Sequence, residues 1–169
     1  LLSGTVVPMN LVSGQSGSVA VTFTLSRILP ADGKIHITFP IGFGLSSPTI
    51  SGTPTGLDGT STLAVLGRTI IISRASATAV AANTAVSLML LDVVSPVEVG
   101  GTFGGSYAIT TVDANDNEIE TKKDIAPSVI VPPSFATKTV SSSTSIAGSA
   151  NTITVSIKSE NAAFVGGDS

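Results

Sequence analysis

The stretch Ser18–Ser26, SVAVTFTLS, decides the fold class of this chain. Its apolar residues alternate with small or hydroxylated ones, and this period of two places each set on one face of a β-strand. The apolar set is Val19, Val21, Phe23 and Leu25. The same alternation predicts strands over residues 34–39, 61–74 (a hairpin turning at 66–68), 84–90, 106–112 and 118–122.

Turn-forming residues separate these strands. Gly, Pro, Asn and Asp recur between them at intervals of about 8 to 12 residues, which favours an all-β, immunoglobulin-like sandwich over βαβ units. The Ala-rich segment Ala75–Ala82 is the one ambiguous stretch, because its composition also suits a short helical turn.

The composition of the whole chain agrees with a β-protein. Of 169 residues, 42% are hydrophobic, 11% are charged, and 18 Val and 15 Ile favour strands. Many aliphatic residues and little charge argue against disorder. A net charge of −3 argues against nucleic-acid binding. The lack of Cys excludes disulfides and thiol catalysis. No stretch reaches the roughly 20 apolar residues that a bilayer span requires.

The chain repeats itself after 134 positions. Thr5 and Val6 match Thr139 and Val140, while Val19 and Val21 match Ile153 and Val155. The segment 125–133, IAPSVIVPP, reads as a last strand followed by a stiff proline linker. We therefore expect one complete module over residues 1–133, and the first two strands of a second module over 134–169.

The partial second module predicts a subunit contact. A lone hairpin is at best marginally stable, so we expect further chain or a neighbouring subunit to complete it. Two segments are candidate donor strands, Leu1–Val12 and Ser128–Val131. The residues expected to form the contact are Val140, Ile146, Ile153, Val155 and Ile157.

Several stretches resemble the tandem immunoglobulin-like repeats of large secreted proteins of microbes and algae. They are Leu11–Gly14, Val19–Leu25, Leu29–Ile35 (LPADGKI), Thr38–Phe43 (TFPIGF) and Tyr107–Thr111 with the hairpin turn that follows it. The resemblance covers most of residues 3–133, and its opening covers 135–159. It implies a surface, adhesive or filament-building role, and it brings no catalytic residues.

The segment 113–120, DANDNEIE, is the densest cluster of oxygen ligands. It looks like the Asp-x-Asn-Asp-Asn calcium-binding stretch between cadherin repeats, and this likeness makes Asp113, Asn115, Asp116 and Asn117 weak calcium candidates. Calcium takes six to eight oxygens, more than this segment supplies. The alternative is a hairpin turn, where Asn and Asp tolerate left-handed geometry. The sequence favours the turn, so we expect neither metal nor cofactor.

No catalytic constellation accompanies the remaining polar motifs. His36, the single histidine, alternates with Ile35 and Ile37, which predicts a surface position facing solvent or a neighbouring module. The sequence also lacks the glycine pattern that surrounds a nucleophilic serine at a nucleophile elbow. The glycine-rich run 100–105, GGTFGG, lacks the lysine that follows a phosphate-binding loop. We therefore expect a protein that is not an enzyme.

The hydroxyl content suggests sugar modification. The run of possible O-glycosylation sites is Ser141, Ser142, Ser143, Thr144 and Ser145, and the alternative is a flexible strand edge. No Asn-x-Ser/Thr sequence occurs, so N-glycosylation is not expected.

These features predict a structural subunit or repeat of an extracellular, cell-surface filament. The expected partner is another copy of the same chain, joined head-to-tail by strand sharing, with O-linked glycans as further partners. The alternative is an adhesive or carbohydrate-binding module of a larger surface protein. That alternative calls for exposed aromatic side chains, yet the chain has one Tyr and no Trp.

Overall fold

A computed structural model describes residues 1–98 and 105–159 of the chain. Within these two ranges the backbone forms β-strands and no helix, so no described segment is a helix long and apolar enough to cross a membrane. The chain divides into two compact units, Leu1–Val131 and Pro132–Ser169.

The first unit contains two antiparallel sheets. In chain order its strands are β1 (Ser3–Pro8), β2 (Ser16–Thr24), β3 (Lys34–Thr38), β4 (Thr49–Ile50), β5 (Thr60–Leu66), β6 (Thr69–Ala75), β7 (Ala85–Val94), β8 (Tyr107–Val112) and β9 (Glu118–Ile125). One sheet has the order β1-β2-β7-β4 and the other β5-β6-β3-β8-β9. The first order is that of an immunoglobulin ABED sheet, and β3, β8 and β9 take the places of C, F and G.

Both sheets contribute to a single core, which makes the first unit a sandwich. Val21 on β2, Leu90 on β7, Ile37 on β3 and Ile72 on β6 are fully buried in the same apolar cluster. These are the inward positions of the period-two pattern, because successive side chains of a strand point to opposite faces. The predicted all-β, immunoglobulin-like sandwich is confirmed.

The two predicted hairpins are also present. β5 pairs with β6 through a turn at Gly67 and Arg68, where Gly67 has a φ of +60° that suits glycine. β8 pairs with β9 across residues 113–117.

The Ala-rich segment after β6 forms no helix. Val80 instead exchanges two backbone hydrogen bonds with Leu29, at 2.8 and 3.0 Å. The carboxylate of Asp58 accepts the backbone N–H of Thr78 at 2.8 Å, and Arg74 donates to the Thr78 carbonyl at 3.2 Å. These partners, of which Leu29 and Asp58 are distant in the chain, replace the bonds that a helix would have made, so tertiary contacts override the local propensity for a helical turn.

The second unit contains a hairpin of two antiparallel strands, β10 (Phe135–Ser142) and β11 (Ile153–Ser159). Its strands occupy the positions that the 134-residue repeat assigns to copies of β1 and β2.

Candidate functional site

The β10–β11 hairpin repeats the pairing of β1 and β2 residue by residue. Val6 lies opposite Val21, and the residues 134 positions later, Val140 and Val155, also lie opposite each other. The next pair agrees as well, since Thr5 faces Thr22 and Thr139 faces Ser156. A shift of one residue would have reversed the faces of a strand. The hairpin is therefore a copy of β1–β2 in register as well as in sequence.

The two copies differ in what covers their apolar face. In the first unit the inward residues are almost completely buried: Val6 3%, Val19 1%, Val21 0% and Phe23 2% exposed. In the second unit their counterparts are open: Val140 71%, Ile153 65%, Val155 59% and Ile157 52% exposed. The same pattern that builds a core in one unit thus leaves an apolar surface in the other. We call these four exposed residues the hairpin face.

A shallow groove of about 240 Å³ runs along this surface. Val140, Val155 and Ile157 line it together with Lys138, Thr139 and Ser156. The other side of the hairpin carries hydroxyl groups, as the outer side of β1–β2 does, where the Thr5 and Thr22 hydroxyls lie 2.7 Å apart. The hairpin is therefore two-sided, with an apolar side and a hydroxylated side.

β11 also has an open backbone edge among the described residues. β2 is bonded on one side to β1 and on the other to β7. β11 pairs with β10, and its sheet contains no third described strand. Unpaired N–H and C=O groups along such an edge are a template for another strand. The strand sharing predicted from the sequence requires such an edge, and aligning Val155 with Val21 assigns it to β11.

The loop of the hairpin is well bonded. The Asn151 side-chain oxygen accepts hydrogen bonds from the hydroxyls of Ser142 at 2.8 Å and Ser143 at 3.1 Å, and from the Thr144 N–H at 3.3 Å. Ile146, predicted to share the contact, lies in this loop and is 71% exposed.

The five residues of the proposed O-glycosylation run differ in position. Ser141 and Ser142 lie at the end of β10, whereas Ser143, Thr144 and Ser145 follow the strand. Thr144 is half-buried, and the four serines are exposed. The hydroxyls of Ser142 and Ser143 are engaged with Asn151.

Both candidate donor strands are already paired within the first unit, contrary to their expected role. Residues 3–8 form β1, bonded along its length to β2. The Val131 N–H donates to the Leu11 carbonyl at 2.9 Å, and the Val131 carbonyl accepts from Ser13 at 2.9 Å. The sequence named these segments as candidate donors but could not show that their partners lie in the same unit.

The calcium candidates form a compact turn. One carboxylate oxygen of Asp113 accepts the N–H groups of Asn115 at 2.8 Å and Asn117 at 2.9 Å, and the other accepts the Asn117 side-chain amide at 2.9 Å. These hydrogen bonds, those of Asn117 first, lower the pKa of Asp113. Asp116 pairs with Lys34 at 2.8 Å. Across the described ranges no three His, Cys, Asp or Glu residues are grouped as metal ligands.

His36 lies on the outer face of the five-stranded sheet, as predicted, but is only half exposed to solvent there. It sits between Ile71 on β6 and Thr110 on β8. Burial is the main cause that lowers its pKa; Asp116, 3.7 Å from Nε2, opposes the change and Lys34 adds to it. Because β3 lies between β6 and β8, neighbouring strands partly cover the His36 side chain, which alternation alone placed on an open surface. Residues 100–104 of the glycine-rich run lie outside the described residues.

Comparisons with known proteins extend the description of the fold only a little. No family model and no curated protein match the chain. Among solved structures, the chain is similar to a non-cellulosomal cohesin from the hyperthermophilic archaeon Archaeoglobus fulgidus, with a TM-score of 0.39 and 12% identity. The match covers 70% of this chain and 83% of the cohesin. A likeness this weak carries no argument about function or partners.

Proposed function

We propose that this chain is a non-enzymatic structural subunit or repeat of an extracellular filament or surface protein, and that it assembles head-to-tail by strand sharing. The observation that carries the proposal is the hairpin face. A copy of β1–β2 that keeps the register of the original exposes the residues that the original buries.

Strand sharing would pair the open edge of β11 and bury the hairpin face. An added strand satisfies the backbone groups of the β11 edge, and its inward side chains cover Val155 and Ile157. A contact between a hairpin at one place and a strand at another is heterologous, so it propagates along a fibre unless a ring closes.

A structural role also fits the use of charged side chains in the described ranges. Arg74 is bonded to Asp58 and to backbone carbonyls, and Lys34 is paired with Asp116. These groups hold loops and strands in place. The low charge and abundant hydroxyls of the chain support an extracellular setting, where Ser141 and Ser145 are exposed sites for O-linked sugars.

The alternative of a carbohydrate-binding module gains no support from the aromatic side chains that the structure describes. Tyr107, Phe23 and Phe39 are buried in the core, and Phe43 is half-buried against Phe39 and Tyr107, so none of these four rings is free to stack on a sugar.

Negative-stain microscopy of the purified native protein, together with its intact mass, tests the proposal. We expect filaments or strings of modules, and a mass above the 16.8 kDa of the polypeptide if sugars are attached or the chain is longer. Val155→Asp, which places a charge on the hairpin face, should prevent assembly. Thr154→Asp places the same charge on the opposite side of β11, at an exposed residue that does not line the groove, and should leave assembly intact. Monodisperse single modules from the native protein would overturn the proposal.

A further inference from the structure

We propose that the open edge of β11 binds one strand with the chemistry of β7, added antiparallel and in the register that β7 has with β2. This inference rests on the proposed function and deepens it, because it specifies the strand that the hairpin receives.

The first unit shows what a hairpin of this sequence pairs with. Val21 lies opposite Leu88, Phe23 opposite Val86, and Val19 opposite Leu90. These three β7 residues are buried in the core, at 4% exposure or less. In the second unit the counterparts of Val21, Phe23 and Val19 are Val155, Ile157 and Ile153, with the pairing to the first strand preserved. The missing neighbour is therefore a strand whose inward residues are aliphatic at alternate positions.

A second copy of the hairpin packed face to face is a poorer occupant. Covering an aliphatic side chain removes roughly 60–120 Å² of apolar surface from water. The four residues of the hairpin face would bury roughly 250–500 Å² per copy, below the roughly 800 Å² per partner of a stable interface. Such a dimer would also leave the backbone edge of β11 unpaired. An added strand satisfies the edge and the apolar face together.

The occupant must also come from outside the folded first unit. β7 is central in its sheet, bonded to β2 on one side and to β4 on the other. It cannot leave without opening the core. A strand of the same chemistry that lies outside a folded first unit can pair with β11 without opening a core.

A peptide that covers residues 84–91 (TAVSLMLL), with added lysines for solubility and a fluorescent label, tests the inference on the full chain. We expect saturable binding by fluorescence anisotropy, with a Kd below about 1 mM, and NMR shift changes concentrated in residues 153–159. In the peptide, Leu88→Asp should weaken binding at least about tenfold, because it puts a charge opposite Val155. Ser87→Asp, on the outward side, should change binding less than about twofold.

The protein variants provide the reciprocal test. Val155→Asp should weaken binding at least about tenfold, and Thr154→Asp, on the outward side of β11, should leave it nearly unchanged. NMR shifts of residues 137–158 check that the hairpin keeps its pairing in both protein variants, and the peptide variants test the register without altering the protein.

Three results would overturn the inference. The first is that the peptide shows no saturable binding. The second is that the Leu88→Asp and Ser87→Asp peptides bind equally well. The third is that the protein forms a dimer which Val155→Asp abolishes, while the peptide does not bind. Filaments without peptide binding would leave the proposed function standing and show that another kind of strand completes the hairpin. Peptide binding by a protein that never assembles would support the inference and reject the filament.

Discussion

The carboxylate of Glu120 accepts the backbone N–H of Ser26 at 3.0 Å. Ser26 follows β2 of the four-stranded sheet, whereas Glu120 lies on β9 of the five-stranded sheet. The bond therefore ties the two layers of the sandwich together. Burial alone would raise the pKa of Glu120, but hydrogen bonds, those from Ser26 first among them, outweigh it and lower the pKa.

Glu120→Gln should lower the free energy of unfolding of the first unit by about 1 kcal/mol at pH 7, because a charged acceptor is replaced by a neutral one. A carboxylate with a lowered folded pKa stabilises above its unfolded pKa of about 4.3 and loses this contribution as the pH falls through the folded pKa. The difference between native protein and variant should therefore shrink below about pH 4.3. Urea unfolding from pH 7 down to pH 2 checks this, and a constant difference would contradict it.

The two repeat copies offer a matched pair of substitutions. Val21→Asp places an unpaired charge in the core and should destabilise the first unit by at least about 3 kcal/mol. Val155→Asp makes the same change at a position 59% exposed and should leave unfolding of the first unit unchanged. Thermal unfolding followed by circular dichroism measures both. Equal losses would mean that the hairpin face is covered in solution.

Tyr107→Phe should stabilise the first unit by about 1 kcal/mol. The Tyr107 hydroxyl is buried and has no hydrogen-bond partner among the described residues, so its removal relieves an unmet desolvation cost. The edge-to-face contact with Phe39, at 5.4 Å between ring centres, is retained. Denaturant unfolding gives the difference. A loss of stability would reveal a partner for the hydroxyl.

Arg74→Lys should cost at least about 2 kcal/mol. The Arg74 side chain is fully buried and donates to Asp58 and to the carbonyls of Pro30, Gly33 and Thr78. A lysine cannot reproduce this planar set of donors and leaves acceptors unsatisfied. Chemical denaturation checks the cost. Arg68→Lys is the control, since Arg68 is exposed and its guanidinium donates to the Phe39 carbonyl at 3.2 Å; its effect should stay within about 0.5 kcal/mol.

Calcium should not change the melting temperature of the protein. Three N–H groups of the turn already occupy the carboxylate oxygens of Asp113, and Lys34 pairs with Asp116. Melting in about 5 mM calcium, above the dissociation constants of extracellular modules, is compared with melting in chelator. A rise with calcium that Asp113→Ala removes would show a metal site.

The sequence by itself determined the alternating strands, the two hairpin turns and the repeat, but not the short strand β4. Alternation in residues 18–26 and 34–39 reports which side chains are buried, because strand geometry forces successive residues onto opposite faces. The same local logic placed Val155 on an apolar face and residues 113–117 in a turn.

Only the tertiary structure decided how these strands pair. β3 lies between β6 and β8, and neither partner is next to it in the chain. The buried role of Arg74, the bond between Glu120 and Ser26 and the pairing of both predicted donor strands likewise depend on residues distant in sequence. The exposure of Val155 beside the burial of Val21 has the same origin. The alternating pattern of a strand shows which of its faces is apolar. Whether that face is buried depends on which other elements pack against it.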